Sequence, residues 1–383
     1  MAVRKKIVVG CQGGGMHAAF EVGVLTEILR DVEQEKFELV GLSGTSAGAL
    51  CTLMAWYGLA DKRNGSAGSA AEAISNLNSV WDDFTAGTLS ENLMNLLTFY
   101  SFRLQETEVP VLGLALPVAA LSPAGLLTQA ITWWMPYLNV REEYIDLEKL
   151  LGDACPKFND IEWSTAKTRL LIGASEIVHG LETVFDSAVN KGTQAEGIQG
   201  WRQRLRLSLK GVAASGTLPA FAPAAPIGRG FYWDGLYSQN PPVREFLSGV
   251  PKEETPDEVW IVRINPQQWP ECPDTRADIL DRENELVGNL SLNKELDFIR
   301  MVNDMISRYG GTLADEYKPV TVRTIKMEEG IANDLRYSSK FDRRLEFTNR
   351  LRKHGHDVAR DWLNRWPYVG CYPEDAGYRT PQL

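Results

Sequence analysis

The chain has 383 residues, of which 44% are hydrophobic and 23% charged, so it can bury one large core or two modest ones. Its formal net charge of −10 argues against a nucleic-acid partner and against any general attraction to anionic lipid. The five cysteines have neither metal-ligand spacing nor an even number, which fits a reducing compartment. We therefore expect a cytoplasmic protein with no metal and no other cofactor.

The first predicted element is a short buried strand, residues 6–10, which leads into three consecutive glycines, Gly13, Gly14 and Gly15. A helix-like segment from Ala18 to Leu29 follows them. Glycines at a strand-to-helix turn leave several backbone N–H groups bare and pointing the same way. Such a loop either binds phosphate or stabilises the oxyanion of an acyl-transfer intermediate.

The same loop also satisfies a dinucleotide-binding fingerprint, because Gly13, Gly15 and Ala18 match G-x-G-x-x-G/A. Glu33 and Glu35 lie about the right distance downstream for the acidic residue of that fingerprint. The fingerprint requires this acid at the end of the second strand, however, and here the second strand ends differently. A nucleotide-binding protein that uses the glycine loop stays as an alternative.

The second predicted strand, residues 39–42, leads into Gly44-Thr45-Ser46-Ala47-Gly48 and then into a helix-like segment, residues 49–56. This G-x-S-x-G pattern is typical of the strained turn on which hydrolases present a nucleophilic serine. Small residues on both sides avoid backbone clashes, and the following helix directs its free N–H groups towards developing negative charge. The pattern predicts Ser46 as a nucleophile.

Residues 109–138 form a segment of thirty residues without any charge. Four prolines interrupt it, so a membrane span is not expected in spite of its length. One interpretation is buried helical core. The other is a cap over the serine that offers apolar surface to acyl chains or to a lipid interface, with Trp133 and Trp134 as tentative substrate-binding residues.

The remaining elements alternate between strands and helices, which predicts an α/β protein with a mostly parallel sheet flanked by helices. Strands are predicted at residues 7–10, 39–42, 170–175, 183–186, 230–233, 259–264 and 320–325, with a long helix at 276–308. A small-residue stretch, 212–221, precedes Asp234-Gly235, which follows the strand at 230–233. Gly13, Ser46 and Asp234 then all fall just beyond strand ends, where open α/β sheets place their ligands.

Three motifs together resemble the patatin-like phospholipase family: the glycine triplet about thirty residues before G-x-S-x-G, an Ala-Ser-x-x-x-Pro-x-Phe stretch from Ala214, and an Asp-Gly-x-x-x-x-Asn-Pro turn from Asp234. The resemblance covers residues 6–242, and weaker similarity continues to residue 342. It implies a three-layer α/β/α fold and a Ser–Asp dyad on Ser46 and Asp234, with the oxyanion hole on Gly13, Gly14 and Gly15.

The resemblance also implies an organisation and a substrate. We expect a catalytic domain at residues 1–330, with the apolar cap inside it, and a C-terminal helical extension at 331–383. The expected substrate is the acyl ester of a phospholipid or lysophospholipid, with peripheral contact to the membrane. Two departures from the family pattern are His17 and Ala18, where a basic residue and a glycine are usual, and Leu236 after Asp-Gly. The first departure leaves open any anion contact by that basic side chain.

A generic carboxylesterase with a Ser-Asp-His triad is the competing hydrolase. The chain has four histidines, and Ser46, Asp234 and then His354 or His356 would follow the triad order of α/β-hydrolases. Both histidines fall in an amphipathic helical pattern at residues 341–366, whereas triad histidines usually lie on loops beyond a strand. The dyad is therefore the favoured prediction.

Overall fold

The computed structural model describes residues 4–63, 67–106, 140–219, 222–269, 271–369 and 371. The predicted apolar cap at 109–138, with Trp133 and Trp134, lies outside these residues. Within the described part, ten strands form one sheet. In chain order they are β1 (Lys6–Cys11), β2 (Glu38–Thr45), β3 (Arg169–Glu176), β4 (Leu181–Asp186), β5 (Gly197–Gln199), β6 (Arg202–Arg206), β7 (Ala225–Ile227), β8 (Gly230–Asp234), β9 (Glu258–Arg263) and β10 (Thr321–Lys326).

The main run of the sheet has the order β10-β9-β1-β2-β3-β4-β6-β5, and β8 pairs with both β3 and β7. From β10 to β3 every neighbouring pair is parallel. The other half is mixed, because β4 and β8 both run antiparallel to β3. The predicted fold class, a mostly parallel sheet flanked by helices, is confirmed.

The described helices lie on both faces of this sheet. In chain order they are α1 (Ala19–Glu33), α2 (Ala47–Leu59), α3 (Ala70–Phe84), α4 (Leu89–Glu106), α5 (Glu142–Ile145), α6 (Leu147–Ala154), α7 (Ser187–Lys191), α8 (Leu209–Ser215), α9 (Arg276–Tyr309), α10 (Gly311–Glu316), α11 (Glu329–Asp334) and α12 (Leu345–Arg365). None of the helices among the described residues combines the length and apolar character needed to cross a membrane.

The two faces of β1 bury different cores, as the period-two geometry of a strand requires. Ile7 and Val9 belong to the core that β1 forms with α1 and α2. Most residues of these two helices are buried. Val8 points to the other face and packs with Leu292 and Ile299 of α9. A strand buried on both sides carries a continuous apolar run, which is why β1 was recognisable in the sequence.

The C-terminal helix α12 packs closely against α1, and two glycines permit the contact. A Cβ atom at Gly23 would lie 2.1 Å from the carbonyl oxygen of Arg352, and one at Gly355 would lie 2.0 Å from that of Phe20. Neither position can hold a side chain without moving the helices apart. The helical C-terminal extension is therefore integrated with the first helix of the α/β unit.

Candidate active site

The serine turn lies between β2 and α2, and its backbone is strained. Ser46 has φ 56° and ψ −126°, a region that L-residues rarely adopt. Gly44 and Gly48 make the turn sterically feasible. A Cβ atom at Gly44 would lie 2.3 Å from the carbonyl oxygen of Gly48, and one at Gly48 would lie 2.5 Å from that of Cys11. The turn therefore holds Ser46 at the N-terminus of α2, where the residue is half-buried.

The register of β3 explains why Asp234 meets Ser46. Strand β2 ends with Thr45 opposite Gly173 of β3. Strand β8 approaches β3 from the opposite direction and ends with Asp234 opposite Ala174, the next residue. The two strands therefore occupy the same side of β3 head to head, and Ser46 follows β2 at the point where β8 ends. The structure brings the two predicted site residues together.

Asp234 is almost completely buried, with 1% of its surface exposed. Its Oδ1 accepts a hydrogen bond of 2.8 Å from the Leu236 N–H. Its Oδ2 accepts no hydrogen bond of regular geometry in the described structure. Burial raises the pKa of this carboxyl to about 7, and the Ser46 hydroxyl, the Leu236 N–H and the Lys340 ammonium oppose that rise. A carboxylate with a free oxygen beside a serine and a pKa near neutrality has the properties of a general base.

The segment that follows Asp234 is fixed to the end of the sheet by hydrogen bonds. The Thr45 hydroxyl donates to the Gln239 carbonyl at 2.7 Å, and the Ser238 hydroxyl donates to the Ala174 carbonyl at 3.1 Å. Asn240 continues this segment into the glycine loop, because its Oδ1 accepts a hydrogen bond of 2.5 Å from the Gly13 N–H. The Asp-Gly-x-x-x-x-Asn motif thus connects Asp234 to the loop that lies beside Ser46.

The three glycines of that loop differ in what their N–H groups do. Gly13 is buried, and its N–H donates a hydrogen bond to the Asn240 side chain. Gly14 and Gly15 are partly exposed, and their N–H groups make no hydrogen bond within the described protein. A Cβ atom at Gly13 would lie 2.8 Å from the Cβ of Ser46, so the loop passes directly beside the serine. Two free donors beside a hydroxyl are the arrangement that an oxyanion hole requires.

Asn265 and Lys340 support this loop from behind. The Asn265 Nδ2 donates to the Gly13 carbonyl at 3.4 Å, and the Lys340 ammonium donates to the Asn265 Oδ1 at 3.0 Å. The Gly13 carbonyl and the Gly14 N–H belong to one planar trans peptide and therefore point in opposite directions. Asn265 thereby fixes the direction of the Gly14 N–H. Burial lowers the pKa of Lys340 to about 8, against the attraction of Glu285, Asp281 and Asp234.

His17 stands where the family resemblance leads us to expect a basic residue, and it carries no charge at neutral pH. It is 3% exposed, and its Nε2 lies 2.7 Å from the Ser339 hydroxyl. Burial, and secondarily the neighbouring Lys340 ammonium, lower the pKa of His17 well below its ordinary value. The cation next to the glycine loop is therefore Lys340, which comes from the far end of the chain.

The C-terminal histidines have partners unrelated to Ser46. His356 lies on α12 with its Nδ1 3.0 Å from the Glu27 carboxylate of α1, and His354 accepts a hydrogen bond of 3.3 Å from the Glu328 N–H.

Because neither histidine contacts Asp234 or Ser46, we expect His354→Ala and His356→Ala each to keep more than about half of the ester hydrolysis rate. Steady-state kinetics on a soluble ester will measure this. A loss in either variant of about a hundredfold, the size of a general-base effect, would favour the triad.

The acidic residues of the alternative dinucleotide fingerprint lie at the opposite end of the sheet from the glycine loop. Glu35 follows α1 and pairs with Arg4 at 3.1 Å, next to the start of β1, whereas the glycine loop follows the end of β1. A ribose held by Glu33 or Glu35 could not reach phosphates at Gly13.

A cavity of about 180 Å³ is lined by Asn265, Trp269 and Met327 among others. Ser46 is not part of its lining, so we do not assign this cavity to the acyl chain.

The sequence did not indicate a role for three supporting residues, although two of them lie in recognisable motifs. Ser215 lies in the Ala-Ser stretch, and its hydroxyl accepts a hydrogen bond of 2.9 Å from the Ser46 N–H while donating one of 2.6 Å to the Gly173 carbonyl. Asn240 belongs to the Asp-Gly-x-x-x-x-Asn motif. Asn265 had no motif around it, and its role depends on a contact across 252 residues of sequence.

The model of the family described as patatin-like phospholipase matches residues 11–247. Among solved structures, VipD from Legionella pneumophila is similar with a TM-score of 0.38 and 14% identity, over 94% of this chain and 67% of that one. The type III effector protein ExoU is similar with a TM-score of 0.31 and 12% identity, over 94% of this chain and 53% of that one, so this chain spans about half the length of ExoU. No curated protein matches. Because the family model covers well over half of the chain and includes Ser46 and Asp234, the chain belongs to the patatin-like phospholipase family of lipid acyl hydrolases.

Proposed function

We propose that this protein hydrolyses ester bonds of phospholipids or lysophospholipids through a dyad of Ser46 and Asp234. The observation that carries the proposal is that β2 and β8 end next to each other on β3, at Gly173 and Ala174, so that Ser46 comes to lie beside Asp234. There a half-buried serine faces a buried carboxylate whose Oδ2 accepts no regular hydrogen bond. A serine hydroxyl is a weak nucleophile until a neighbouring base takes its proton, and the Asp234 carboxylate is placed to do so.

The proposed reaction has two steps. In the first, the Ser46 Oγ attacks the ester carbonyl carbon while its proton moves to Asp234. The tetrahedral intermediate then expels the alcohol, which takes that proton, and leaves an acyl group on Ser46. In the second step, water attacks the acyl carbon and gives a proton to Asp234. Collapse of this second intermediate returns the proton to the Ser46 oxygen and releases the fatty acid.

We propose that the oxyanion of both intermediates is stabilised by the Gly14 and Gly15 N–H groups, with Gly13 in a positioning role. Sequence reasoning assigned all three glycines to the hole. The occupied Gly13 N–H supports the narrower assignment, because a donor held at 2.5 Å by Asn240 is not free for substrate. Each oxyanion donor contributes on the order of 10²–10³ in rate, so two suffice for an activated acyl ester.

Two measurements test the proposed function. A fluorophosphonate probe should label the protein, and mass spectrometry should place the label on the peptide that contains Ser46. Incubation with phosphatidylcholine and lysophosphatidylcholine should release free fatty acid. Absence of labelling would contradict the nucleophile, and labelling with turnover of soluble esters alone would favour the generic carboxylesterase.

Lys340 offers a test of the electrostatics, and it lies in the segment 331–383 that we propose as the C-terminal extension. Its ammonium lowers the pKa of Asp234, so Lys340→Met should raise that pKa and shift the rising limb of the pH–rate profile to higher pH. We expect a loss of roughly three- to tenfold at pH 6.5 that shrinks at pH 8.5. Lys340→Arg, which keeps the charge, is the matched control. An equal loss at both pH values would show that the lysine acts through packing alone.

A further inference from the structure

Three β-turns lie side by side at the end of the sheet where β2 and β3 terminate, which is also the end that carries Ser46. They are the turn between β7 and β8, the turn between β3 and β4, and the turn between β5 and β6. The ladder fixes their order, because Glu176 of β3 pairs with Tyr232 of β8 on one side and with Leu181 of β4 on the other. On the outer side, Glu182 of β4 pairs with Arg202 of β6. Six strands spaced about 4.8 Å apart make a row of turns about 25 Å long.

Each turn of this row exposes an apolar side chain. Phe231 is 46% exposed in the first turn region and Val178 is 63% exposed in the second. Ile198, in β5 just before the third turn, and Trp201, in that turn, are 61% and 74% exposed. Single exposed apolar residues are ordinary on a protein surface, but these four lie in or within two residues of three adjacent turns, with Phe231 on one face of the sheet and Ile198 on the other. We call these four residues the turn row.

The charges around the turn row are cationic or already paired. Arg229, beside Phe231, is exposed and has no ion pair among the described residues. The buried Glu176 carboxylate accepts hydrogen bonds from the Val178 and His179 N–H groups. Glu182 pairs with Arg202 at 2.8 Å. The exposed side of the turn row therefore combines aromatic, aliphatic and cationic groups with no free carboxylate among these neighbours.

The turn row also lies at a useful distance from the proposed site. Phe231 precedes Asp234 by three residues of β8, which corresponds to about 10 Å along the strand. Interfacial elements bury their apolar side about 5–10 Å into the boundary between headgroups and acyl chains. If the turn row were seated at that depth, Ser46 would face the headgroup region from just outside it.

From this placement we propose that the turn row docks the protein onto a phospholipid bilayer, with Trp201 and Val178 inserted and Arg229 facing lipid phosphate. A tryptophan seated at the interface and an arginine facing phosphate are the chemistry that recognises this boundary, and here they stand at opposite ends of the row, in the third and first turns. The proposal rests on the proposed lipid substrate for its biological sense, but docking does not depend on turnover. It assigns to this end of the sheet the lipid contact that one of the two interpretations of residues 109–138 gave to that segment.

Sedimentation with extruded vesicles of phosphatidylcholine and phosphatidylglycerol tests the proposal in the Ser46→Ala background, so that no lipid is consumed. Trp201→Ser should weaken vesicle binding by about tenfold or more, as expected for the loss of a buried indole. Tyr309→Ser is the matched control. Tyr309 is 75% exposed, and its helix α9 contacts Val320 at the start of β10, which places it at the opposite edge of the sheet.

Circular dichroism and thermal melting verify that the variants are folded, and Val178→Asp at the central turn serves as a second variant if Trp201→Ser is not. Parent-like vesicle binding by a folded turn-row variant overturns the proposal. Equal weakening by Tyr309→Ser, or no binding of the parent to vesicles, overturns it as well. With Ser46 restored, the ratio of vesicle turnover to turnover of a soluble ester should fall for Trp201→Ser and stay constant for Tyr309→Ser. A protein inactive on every ester contradicts the dyad and leaves the sedimentation result valid.

Discussion

Ser46→Ala should lose at least about a thousandfold in ester turnover and all labelling by a fluorophosphonate. The proposed route goes through an acyl group on the Ser46 oxygen, so without that oxygen no covalent intermediate forms. Residual hydrolysis would come only from the Gly14 and Gly15 donors acting on bound ester. Pre-steady-state and steady-state kinetics on a short-chain ester will measure the loss, with fatty-acid release from phospholipid as a second readout.

Ser46→Gly is a control that separates chemistry from folding. Serine and alanine both carry a Cβ atom, so either residue at position 46 experiences the strain of φ 56°. Glycine adopts this conformation freely. We expect Ser46→Gly to be more stable than Ser46→Ala by about 1 kcal/mol while being equally inactive. Turnover near the parent rate in either variant would contradict the assigned nucleophile.

The seven strands predicted from the sequence are all present, and most of them are largely buried. Strands β1 and β9 are buried on both faces and therefore carry unbroken apolar runs. The three strands that were missed, β5, β6 and β7, are short or rich in charge, as in Arg202–Arg206; β5 and β7 are edge strands, and β6 lies between β4 and β5. An edge strand pairs through its backbone and leaves little pattern in its side chains.

The site was predictable to a different degree for each residue. Local motifs indicated Ser46 and the glycine loop, because the steric demands of a tight strand-to-helix turn are written in neighbouring residues. The resemblance supplied Asp234, which in isolation reads as an ordinary Asp-Gly turn. Lys340 and Asn265 could not be predicted, since their contacts join distant segments whose approach depends on the assembled sheet. The proposed restriction of the oxyanion hole to Gly14 and Gly15 likewise depends on the hydrogen bond from the Gly13 N–H to Asn240, which the sequence does not show.

Asp234→Asn should reduce ester turnover by at least a hundredfold, because an amide cannot accept the Ser46 proton. The parent should also show a characteristic pH dependence. With a carboxyl pKa of about 7, the rate should rise about tenfold per pH unit below neutrality and level off above it. In Asp234→Asn the residual rate should lack this rising limb. Rates across pH 5 to 9 on a soluble ester will provide both readouts.

The same substitution should stabilise the fold at alkaline pH, which a purely structural carboxylate would not do. Because the folded pKa of Asp234 lies above its ordinary value of 3.8, the folded state holds a proton that the unfolded state releases. Stability from this group is present below about pH 4 and is lost as pH rises to about 7, at about 1.4 kcal/mol per pKa unit, on the order of 4 kcal/mol in all. Asp234→Asn avoids that cost.

Denaturant unfolding should therefore find Asp234→Asn more stable than the parent at pH 8, with the difference diminishing towards pH 4. This pairing of lower activity with higher stability is expected where a carboxylate is buried for chemistry rather than for packing. If Asp234→Asn were less stable than the parent at pH 8 and its activity fell by less than tenfold, Asp234 would be a structural turn residue. The base would then have to be sought elsewhere. An activity loss without a stabilising effect would keep the base and show instead that the new amide group is poorly accommodated beside Ser46.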